Sequence, residues 1–375
     1  MGRGLALLGI PLPNKTDLTY LLRDEFTTAE GPPLSSPRTC EPGPGTLTLV
    51  QTEADLSISS GKLQIPLGTI DTRADIGYVG PAVSRAAGAL LIYQLNLVNI
   101  SSFLYFGFNS AQVLGWWNSN SANGWYISGF GAVERISKST NLQVPHLIVA
   151  ATDYQFALVL RSVGALWFIK GGAYTNWTLW WVDALDTSTP VYPALSNGSA
   201  QGTQDYLRVR QLPAPFDTDY GIAALDVNPG VSGTSYTVVA NAIHDLIVTA
   251  PNPLANTCEL RYRVLDDNNY WTAYFDATGA FKLDSVSGGV ATNRISVAAV
   301  ATAGNTYTIR VICDGTKHNC YTLSGTTWTK RGSEVNVSHQ DSQTMVKPVA
   351  GVGWTLGRLT SWPRTSAAYA ELDKV

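Results

Sequence analysis

Apolar and polar residues alternate with a period of two through much of the chain. The alternation is clearest in segments 103–108, 154–160, 165–169, 177–182, 258–265, 270–275 and 306–313. These segments are short, rich in aromatic and β-branched residues, and bounded by Gly, Asn, Ser or Asp, which is typical of strands joined by tight turns. No segment keeps a helical period over three turns. The pattern therefore predicts an all-β fold of the sandwich or barrel type.

The two halves of the chain resemble each other. Tyr154–Gly171 and Tyr307–Gly325 each contain a strand, a polar turn, a return strand and a closing glycine. Each half also ends in a similar strand, at 206–210 and at 368–372. The segment 211–216 contains two prolines, which stiffen linkers. We therefore predict an N-terminal arm and two sandwiches in tandem, with the boundaries 1–22, 23–212 and 213–375.

Four sequence blocks resemble the concanavalin A-like lectin/glucanase domains, the jelly-roll sandwiches that include laminin-G-type modules. They are Asp24–Gly31, with an acidic-Phe-x(4)-Gly start, the strand-turn-strand pairs at 56–65 and 260–274, and the strand and return strand at 307–323. The opening motif is degenerate in the second half, at Phe216-Asp217. The resemblance implies two antiparallel jelly rolls. Its known members include lectins, many of them calcium-dependent, and glucanases.

Tandem modules of this kind, with turns rich in Gly, Ser and Thr, also resemble accessory proteins of tailed bacteriophage particles. That resemblance implies a non-enzymatic decoration or tail-associated subunit that docks through the arm 1–22. Its partners would be other virion subunits or further copies of the same chain. The implied location is the virion or an extracellular surface.

The weak charge of the chain narrows the function classes. Only 14% of its 375 residues are charged, and the 25 Lys and Arg nearly balance the 28 Asp and Glu, whereas about 25% is usual. A chain that is 45% hydrophobic and contains 11 Trp, 17 Tyr and 10 Phe is not disordered. Because no basic stripe is present, a nucleic-acid partner is not expected.

The N-terminus and the cysteines indicate no special targeting or scaffold. The apolar run after Arg3 is broken by Pro11 and Pro13, so no signal peptide is predicted. No apolar stretch is long enough to span a membrane. Cys313 and Cys320 flank a predicted hairpin turn, and they are either a cross-strand disulfide or two free thiols.

Catalytic motifs are missing from the expected positions. Glucanase relatives carry their carboxylates on alternate residues of one strand, and glycoside hydrolysis requires a pair that flanks the bond. Glu53-Ala-Asp55 and Glu371-Leu-Asp373 both lack the third carboxylate of that pattern. Nucleophile-elbow, phosphate-loop and zinc-protease motifs are absent from the sequence. The sequence therefore predicts a protein that is not an enzyme.

An aromatic and amide-rich loop provides the alternative function. Sugars present CH faces that pack on aromatic rings and hydroxyls that hydrogen-bond to amides, so the loop is a candidate for recognition of cell-surface glycan by a carbohydrate-binding module or adhesin. The other interpretation is that the loop aromatics cap the core as a hairpin pair. The candidate glycan-binding residues are Trp116, Trp117, Asn118, Asn120, Trp125 and Tyr126.

A run of oxygen-bearing side chains gives a candidate calcium site. Asp266, Asp267 and Asn269 are the ligand types that calcium takes. Asp and Asn are also the residues that tight hairpin turns require. We favour the turn, and no cofactor or metal is expected.

Overall fold

The structure, a computed structural model, describes residues 20–50, 56–66, 76–85, 88–99, 103–112, 121–128, 132–137, 140–161, 164–183, 190–198, 200–211, 225–366, 369 and 372–373. Every extended regular element in these residues is a β-strand, and the strands pair antiparallel. The predicted all-β fold is therefore confirmed. The chain divides into two compact units, residues 1–220 with 366–375 and residues 221–365.

The first unit contains two eight-stranded sheets. Sheet 1 has the order β14-β13-β12-β7-β16-β5-β4, with β1 also paired to β16, and sheet 2 has the order β11-β10-β9-β8-β15-β6-β3-β2. The strands are β1 (Tyr20–Asp24), β2 (Arg38–Thr39), β3 (Thr46–Val50), β4 (Ser57–Ser59), β5 (Lys62–Ile65), β6 (Ile76–Val79), β7 (Ala89–Asn99), β8 (Leu104–Asn109), β9 (Ser121–Ser128), β10 (Ala132–Ser137), β11 (Thr140–Leu147), β12 (Asp153–Leu160), β13 (Ala165–Gly171), β14 (Tyr174–Asp183), β15 (Tyr192–Asn197) and β16 (Gln201–Gln211).

The second unit contains two six-stranded sheets. Sheet 3 has the order β17-β28-β19-β24-β25-β26, and sheet 4 has the order β18-β27-β20-β21-β22-β23. The strands are β17 (Leu225–Val227), β18 (Tyr236–Thr237), β19 (Ala242–Thr249), β20 (Cys258–Asp266), β21 (Asn269–Phe275), β22 (Phe281–Ser287), β23 (Val290–Val297), β24 (Thr306–Asp314), β25 (Lys317–Ser324), β26 (Thr327–Asn336), β27 (Met345–Ala350) and β28 (Thr355–Pro363).

The two units share a strand order. The run β14-β13-β12-β7-β16 of sheet 1 corresponds to β26-β25-β24-β19-β28 of sheet 3. The run β11-β10-β9-β8-β15-β6 of sheet 2 corresponds to β23-β22-β21-β20-β27-β18 of sheet 4. This common topology supports the internal repeat that the spacing of the two sequence blocks indicated.

Aromatic and aliphatic side chains fill the space between the sheets of each unit. In the first unit Phe106 of sheet 2 packs edge-on against Phe156 of sheet 1, with ring centroids 4.8 Å apart. In the second unit one buried cluster joins Leu246 and Ile309 of sheet 3 to Trp271 of sheet 4. The alternation in the sequence thus places one side of each strand in a sandwich core.

Both ends of the chain differ from the predicted boundaries. Tyr20–Leu22, assigned by sequence to the arm, begin strand β1 of the first sandwich, while residues 1–19 lie outside the described residues. Tyr369, assigned to the second sandwich, packs edge-on against Phe168 of β13 at 5.0 Å. The residues after 365 therefore belong to the first unit. A contact between residues so far apart in sequence has no local signature.

Candidate functional site

The outer surface of sheet 4 carries an ordered array of polar and aromatic side chains. Leu260, Trp271 and Leu283 point into the core, so the residues beside them in each strand point the other way. We call this surface the polar face, and its members are Glu259, Arg261, Tyr270, Thr272, Tyr274, Lys282, Asp284, Asn293 and Lys347.

Strand register aligns these residues into rows. Arg261 lies opposite Lys347 on one side and Thr272 on the other. Thr272 in turn lies opposite Asp284, which lies opposite Asn293. Directly opposed residues have Cβ atoms about 4.5–5.5 Å apart, so the row places cationic, hydroxyl, carboxylate and amide groups side by side.

Arg261 is fixed from two directions. Its Nε donates to Glu259 Oε2 at 2.7 Å, and its guanidinium lies 4.4 Å from the centre of the Tyr270 ring. The Thr272 hydroxyl donates to the same Glu259 oxygen at 3.4 Å. Because one N–H and one planar surface of the guanidinium are occupied, its other N–H groups are held in a defined orientation for a ligand.

Asp284 organises the other half of the polar face. It accepts hydrogen bonds from the Tyr274 hydroxyl at 2.8 Å and from Asn293 Nδ2 at 2.7 Å. Burial, and secondly the bond to the Asp284 carboxylate, raise the pKa of Tyr274. The phenol therefore stays protonated at neutral pH and keeps donating. The ring of Tyr274 is half-buried, so part of it faces solvent.

Layers beneath the polar face hold it rigid. Trp271 stacks on His318 with ring centroids 4.1 Å apart, and its Nε1 donates to the His339 carbonyl at 2.7 Å. His318 lies 3.2 Å from the Tyr262 hydroxyl through Nδ1. Because Trp271 lies between Tyr270 and Thr272 in the strand, this packing fixes the backbone from which both outward residues project.

The calcium candidates form a hairpin turn beside the polar face. Asp266 Oδ1 accepts from the backbone N–H of Asn268 at 2.8 Å and from Asn269 Nδ2 at 2.9 Å. Asp267 pairs with Lys347 Nζ at 2.6 Å, and this bond lowers the pKa of the Asp267 carboxyl. The geometry is that of an Asx-stabilised turn. Within the described residues no cluster of three or more His, Cys, Asp or Glu could hold a metal ion.

Millimolar calcium chloride is expected to leave the thermal midpoint of the protein unchanged. The turn carboxylates already have protein partners, so an ion would have to break the Asp267–Lys347 pair to bind. Differential scanning calorimetry with calcium and with excess chelator checks this expectation. A concentration-dependent rise of the midpoint with calcium would mean that a calcium site exists.

The glycan loop predicted from the sequence is only partly within the described residues. Trp116, Trp117, Asn118 and Asn120 lie outside them. Trp125 is completely buried and stacks on Phe106 at 5.3 Å. Tyr126 is buried against Phe103 at 5.8 Å. Trp125 and Tyr126 are therefore corrected as candidates for stacking on sugar, because both rings are packed against protein.

Other sequence candidates are also placed. All four cysteines are free and buried, and burial raises the pKa of Cys313 to about 12. The thiol alternative therefore holds for Cys313 and Cys320. Of the two carboxylate motifs, Glu53-Ala-Asp55 lies outside the described residues. Asp373 of the second motif accepts from Lys170 Nζ at 2.6 Å.

The sequence interpretation missed the polar face. Its signal was present in the alternation Glu259-Leu-Arg261-Tyr, where the polar residues between the core residues are charged. The sequence does not show that Arg261 pairs with Lys347 or that Asp284 pairs with Asn293. The register between two strands is not encoded in the local pattern of either strand.

The polar face offers chemistry suited to a polyhydroxyl ligand. Pre-oriented N–H donors, carboxylate acceptors and hydroxyls complement vicinal hydroxyl groups, each of which both donates and accepts. The exposed part of Tyr274 provides a flat apolar surface for a ring of CH groups.

Comparisons with known proteins give likenesses of fold only. No protein-family model and no curated protein matches the chain. Among solved structures, the Caenorhabditis elegans galectin LEC-6 is similar over 36% of this chain and 94% of its own, at 11% identity and a TM-score of 0.30.

Two further structures are similar in part. The VIP36 exoplasmic/lumenal domain bound to Ca²⁺ and Man3GlcNAc covers 46% of this chain and 86% of its own, at 8% identity and a TM-score of 0.34. The Bacillus subtilis carbohydrate-binding module CBM66 covers 34% and 83%, at 12% identity and a TM-score of 0.22. At such scores these likenesses carry no argument about function. The part of the chain that the structure describes contains no helix that could cross a lipid bilayer.

Proposed function

We propose that this protein binds glycans through the polar face of its second unit. One observation carries the proposal: Arg261 is held between the Glu259 carboxylate at 2.7 Å and the Tyr270 ring at 4.4 Å. An exposed arginine pays a large entropy cost when it is ordered by a ligand. Here that cost is already met within the protein, so binding energy is retained for recognition.

The neighbouring groups extend the same surface. Asp284 is buried, and its two hydrogen bonds fix the outward side chains of Tyr274 and Asn293 on the next strands. The face is polar without a strong excess of one charge, because Lys347 is paired with Asp267 and Lys282 with Asp276 at 2.9 Å. This balance favours a neutral polyhydroxyl ligand over a polyanion.

A glycan array probed with the full chain, followed by calorimetric titration of the best ligand, tests the proposal. Arg261→Met keeps the aliphatic stem and removes the donors, and we expect it to weaken binding about 10- to 100-fold. Arg261→Lys is expected to weaken it too, because the planar fork is lost. Unchanged affinity of Arg261→Met, or no glycan bound by the wild type, would refute the proposal.

A matched control is available on the opposite sheet of the same unit. Arg358 of β28 pairs with Asp226 and is exposed. Arg358→Met removes an equal charge from sheet 3, whereas the polar face lies on sheet 4. This variant should therefore bind the glycan like the wild type. This variant separates loss of a specific contact from loss of net charge.

The structural role in a phage-like particle stays a prediction. It depended on docking through residues 1–22, of which 1–19 lie outside the described residues. Virion subunit partners, homo-oligomerisation, the absence of catalysis and the virion or extracellular location are predictions of the same standing. Glycan recognition is compatible with such a location, and it is the function for which described residues supply geometry.

A further inference from the structure

A polar cavity lies on the outer surface of sheet 1, in the first unit and separate from the polar face. Its volume is about 230 Å³, and its lining includes Gln94, Asp153, Gln155, Lys170 and Tyr174. This is smaller than the roughly 300–1,000 Å³ of pockets that hold drug-sized ligands. A single sugar ring is the size of ligand that it suits.

The cavity is built on a row of residues in register. Lys170, Gln155, Gln94 and Tyr206 oppose one another on the adjacent strands β13, β12, β7 and β16. Their side chains project from the sheet on the same side, because Phe156 beside Gln155 points into the core. Three of these strands thus present amide and amine groups to one small space, because Gln94, Gln155 and Lys170 line the cavity.

Hydrogen bonds fix the amide groups of this row. Gln155 Nε2 donates to the Tyr206 hydroxyl at 2.7 Å and to Gln94 Oε1 at 3.3 Å. Gln94 Nε2 donates in turn to Asp205 Oδ2 at 2.9 Å. Because these amide N–H groups donate to side chains on neighbouring strands, the orientation of each amide is set before a ligand binds.

The ammonium group of Lys170, the cation of this row, is paired with the carboxylate of Asp373. Asp373 Oδ1 accepts from Lys170 Nζ at 2.6 Å and from Trp177 Nε1 at 2.9 Å. The side chain of Asp373 is 46% exposed, so solvent and solutes reach it. Two converging donors at the edge of the cavity therefore mark a position for a carboxylate oxygen.

We propose that this cavity binds one carboxylate-bearing sugar residue, such as a hexuronic or sialic acid, and that Asp373 competes with the sugar for Lys170. The ring hydroxyls would bond to the amide row and to Asp153. The ligand carboxylate would replace Asp373 on Lys170 Nζ and Trp177 Nε1. The site is independent of the polar face, and with it the chain would present two different glycan sites.

The competition explains why a carboxylate is required. A neutral sugar fits the amide row but leaves the Lys170–Asp373 pair in place, so it gains no charged hydrogen bond. An acidic sugar gains that bond and pays for displacing Asp373. Its apparent affinity is therefore lowered by the fraction of molecules in which Asp373 holds Lys170.

Saturation-transfer NMR and calorimetric titration of the full chain with methyl glucuronide test the proposal, with methyl glucoside and acetate as comparison probes. We expect the glucuronide to bind at least about tenfold more tightly than either probe. Lys170→Met should weaken its binding about tenfold or more, whereas Asp373→Asn should strengthen it about threefold or more. Lys317→Met, an exposed lysine of the second unit, should have no effect.

Opposite results overturn the proposal. Equal affinity for glucuronide and glucoside would show that the ligand carboxylate does not contribute to binding. Unchanged or weaker binding by Asp373→Asn would show that Asp373 does not compete with the sugar. No detectable binding of the glucuronide would show that the cavity is not a site for acidic sugars. Arg261→Met should leave glucuronide binding intact, so failure here is distinguishable from failure of the polar face.

Discussion

Replacing Trp271 with alanine is expected to destabilise the second unit by about 3–5 kcal/mol, the usual cost of removing a buried tryptophan. Trp271 is completely buried, stacks on His318 at 4.1 Å and donates to the His339 carbonyl at 2.7 Å. Alanine would leave a cavity in the main cluster of the sandwich and a part-buried carbonyl without its donor.

Urea-dependent hydrogen exchange of peptides from residues 225–365 measures this loss for the second unit alone. Trp271→Phe keeps a ring against His318 and is expected to lose less. A destabilisation below about 1 kcal/mol would mean that the tryptophan is not integral to this core.

Acidification is the second large effect. His318 and His244 are almost fully buried, and burial, followed by the charge of Arg263, lowers the pKa of each to about 3. Arg263 Nη1 lies 3.5 Å from His318 Nε2. Because arginine can only donate, Nε2 is the acceptor and Nδ1 carries the proton. A second proton would face the guanidinium directly.

The sign of the pH effect follows from these pKa values. Below the ordinary histidine pKa of 6.5, the unfolded chain binds a proton at each histidine and the folded unit does not, so the free energy of unfolding falls as the pH falls. The slope is about 1.4 kcal/mol per pH unit for each group. From pH 6.5 to pH 5 the two groups together should remove about 3 kcal/mol, because the full slope is reached only well below pH 6.5.

Chemical denaturation at a series of pH values measures this dependence. The window from pH 6.5 to pH 5 lies above the range where most carboxylates titrate. His318→Gln removes one titrating group and should roughly halve the slope, although it also lowers the stability at neutral pH. A flat profile across this window in the wild type would show that the two histidines are not held neutral in the folded unit.

Local sequence pattern was sufficient for the strands. The predicted segments 154–160, 258–265 and 306–313 correspond to β12, β20 and β24 within one residue at each end. In β20 and β24 apolar residues occupy every second position, from Cys258 to Val264 and from Tyr307 to Cys313, so the limits of these strands follow from their own residues. The turns between the strands carry Gly, Asn and Asp, which tolerate the backbone conformations that tight turns require.

Non-local contacts were not predictable in the same way. The sequence of the 177–182 segment does not show which residues cover the two sides of the strand. Trp177, Trp180 and Trp181 are all buried within the chain, and Trp177 contacts Asp373. That contact joins residues almost 200 positions apart, and no local pattern encodes it.

The candidate sites show the same division. Composition directed attention to aromatic residues at 116–126, where Trp125 turned out to pack into the core. The polar face and the sheet 1 cavity instead depend on cross-strand register, which sets Arg261 beside Lys347 and Gln155 beside Gln94. Register is fixed by the whole sheet and by turn geometry, so these constellations emerge only in the folded chain.

A crystal structure of the full chain with the best glycan from the array would show directly whether the polar face is the binding surface. We expect a sugar ring on the outer surface of sheet 4, with hydroxyls in hydrogen-bond contact with Arg261 and Glu259 and a CH face on Tyr274. A ring bound at another surface, with no contact between the sugar and these three side chains, would contradict this expectation.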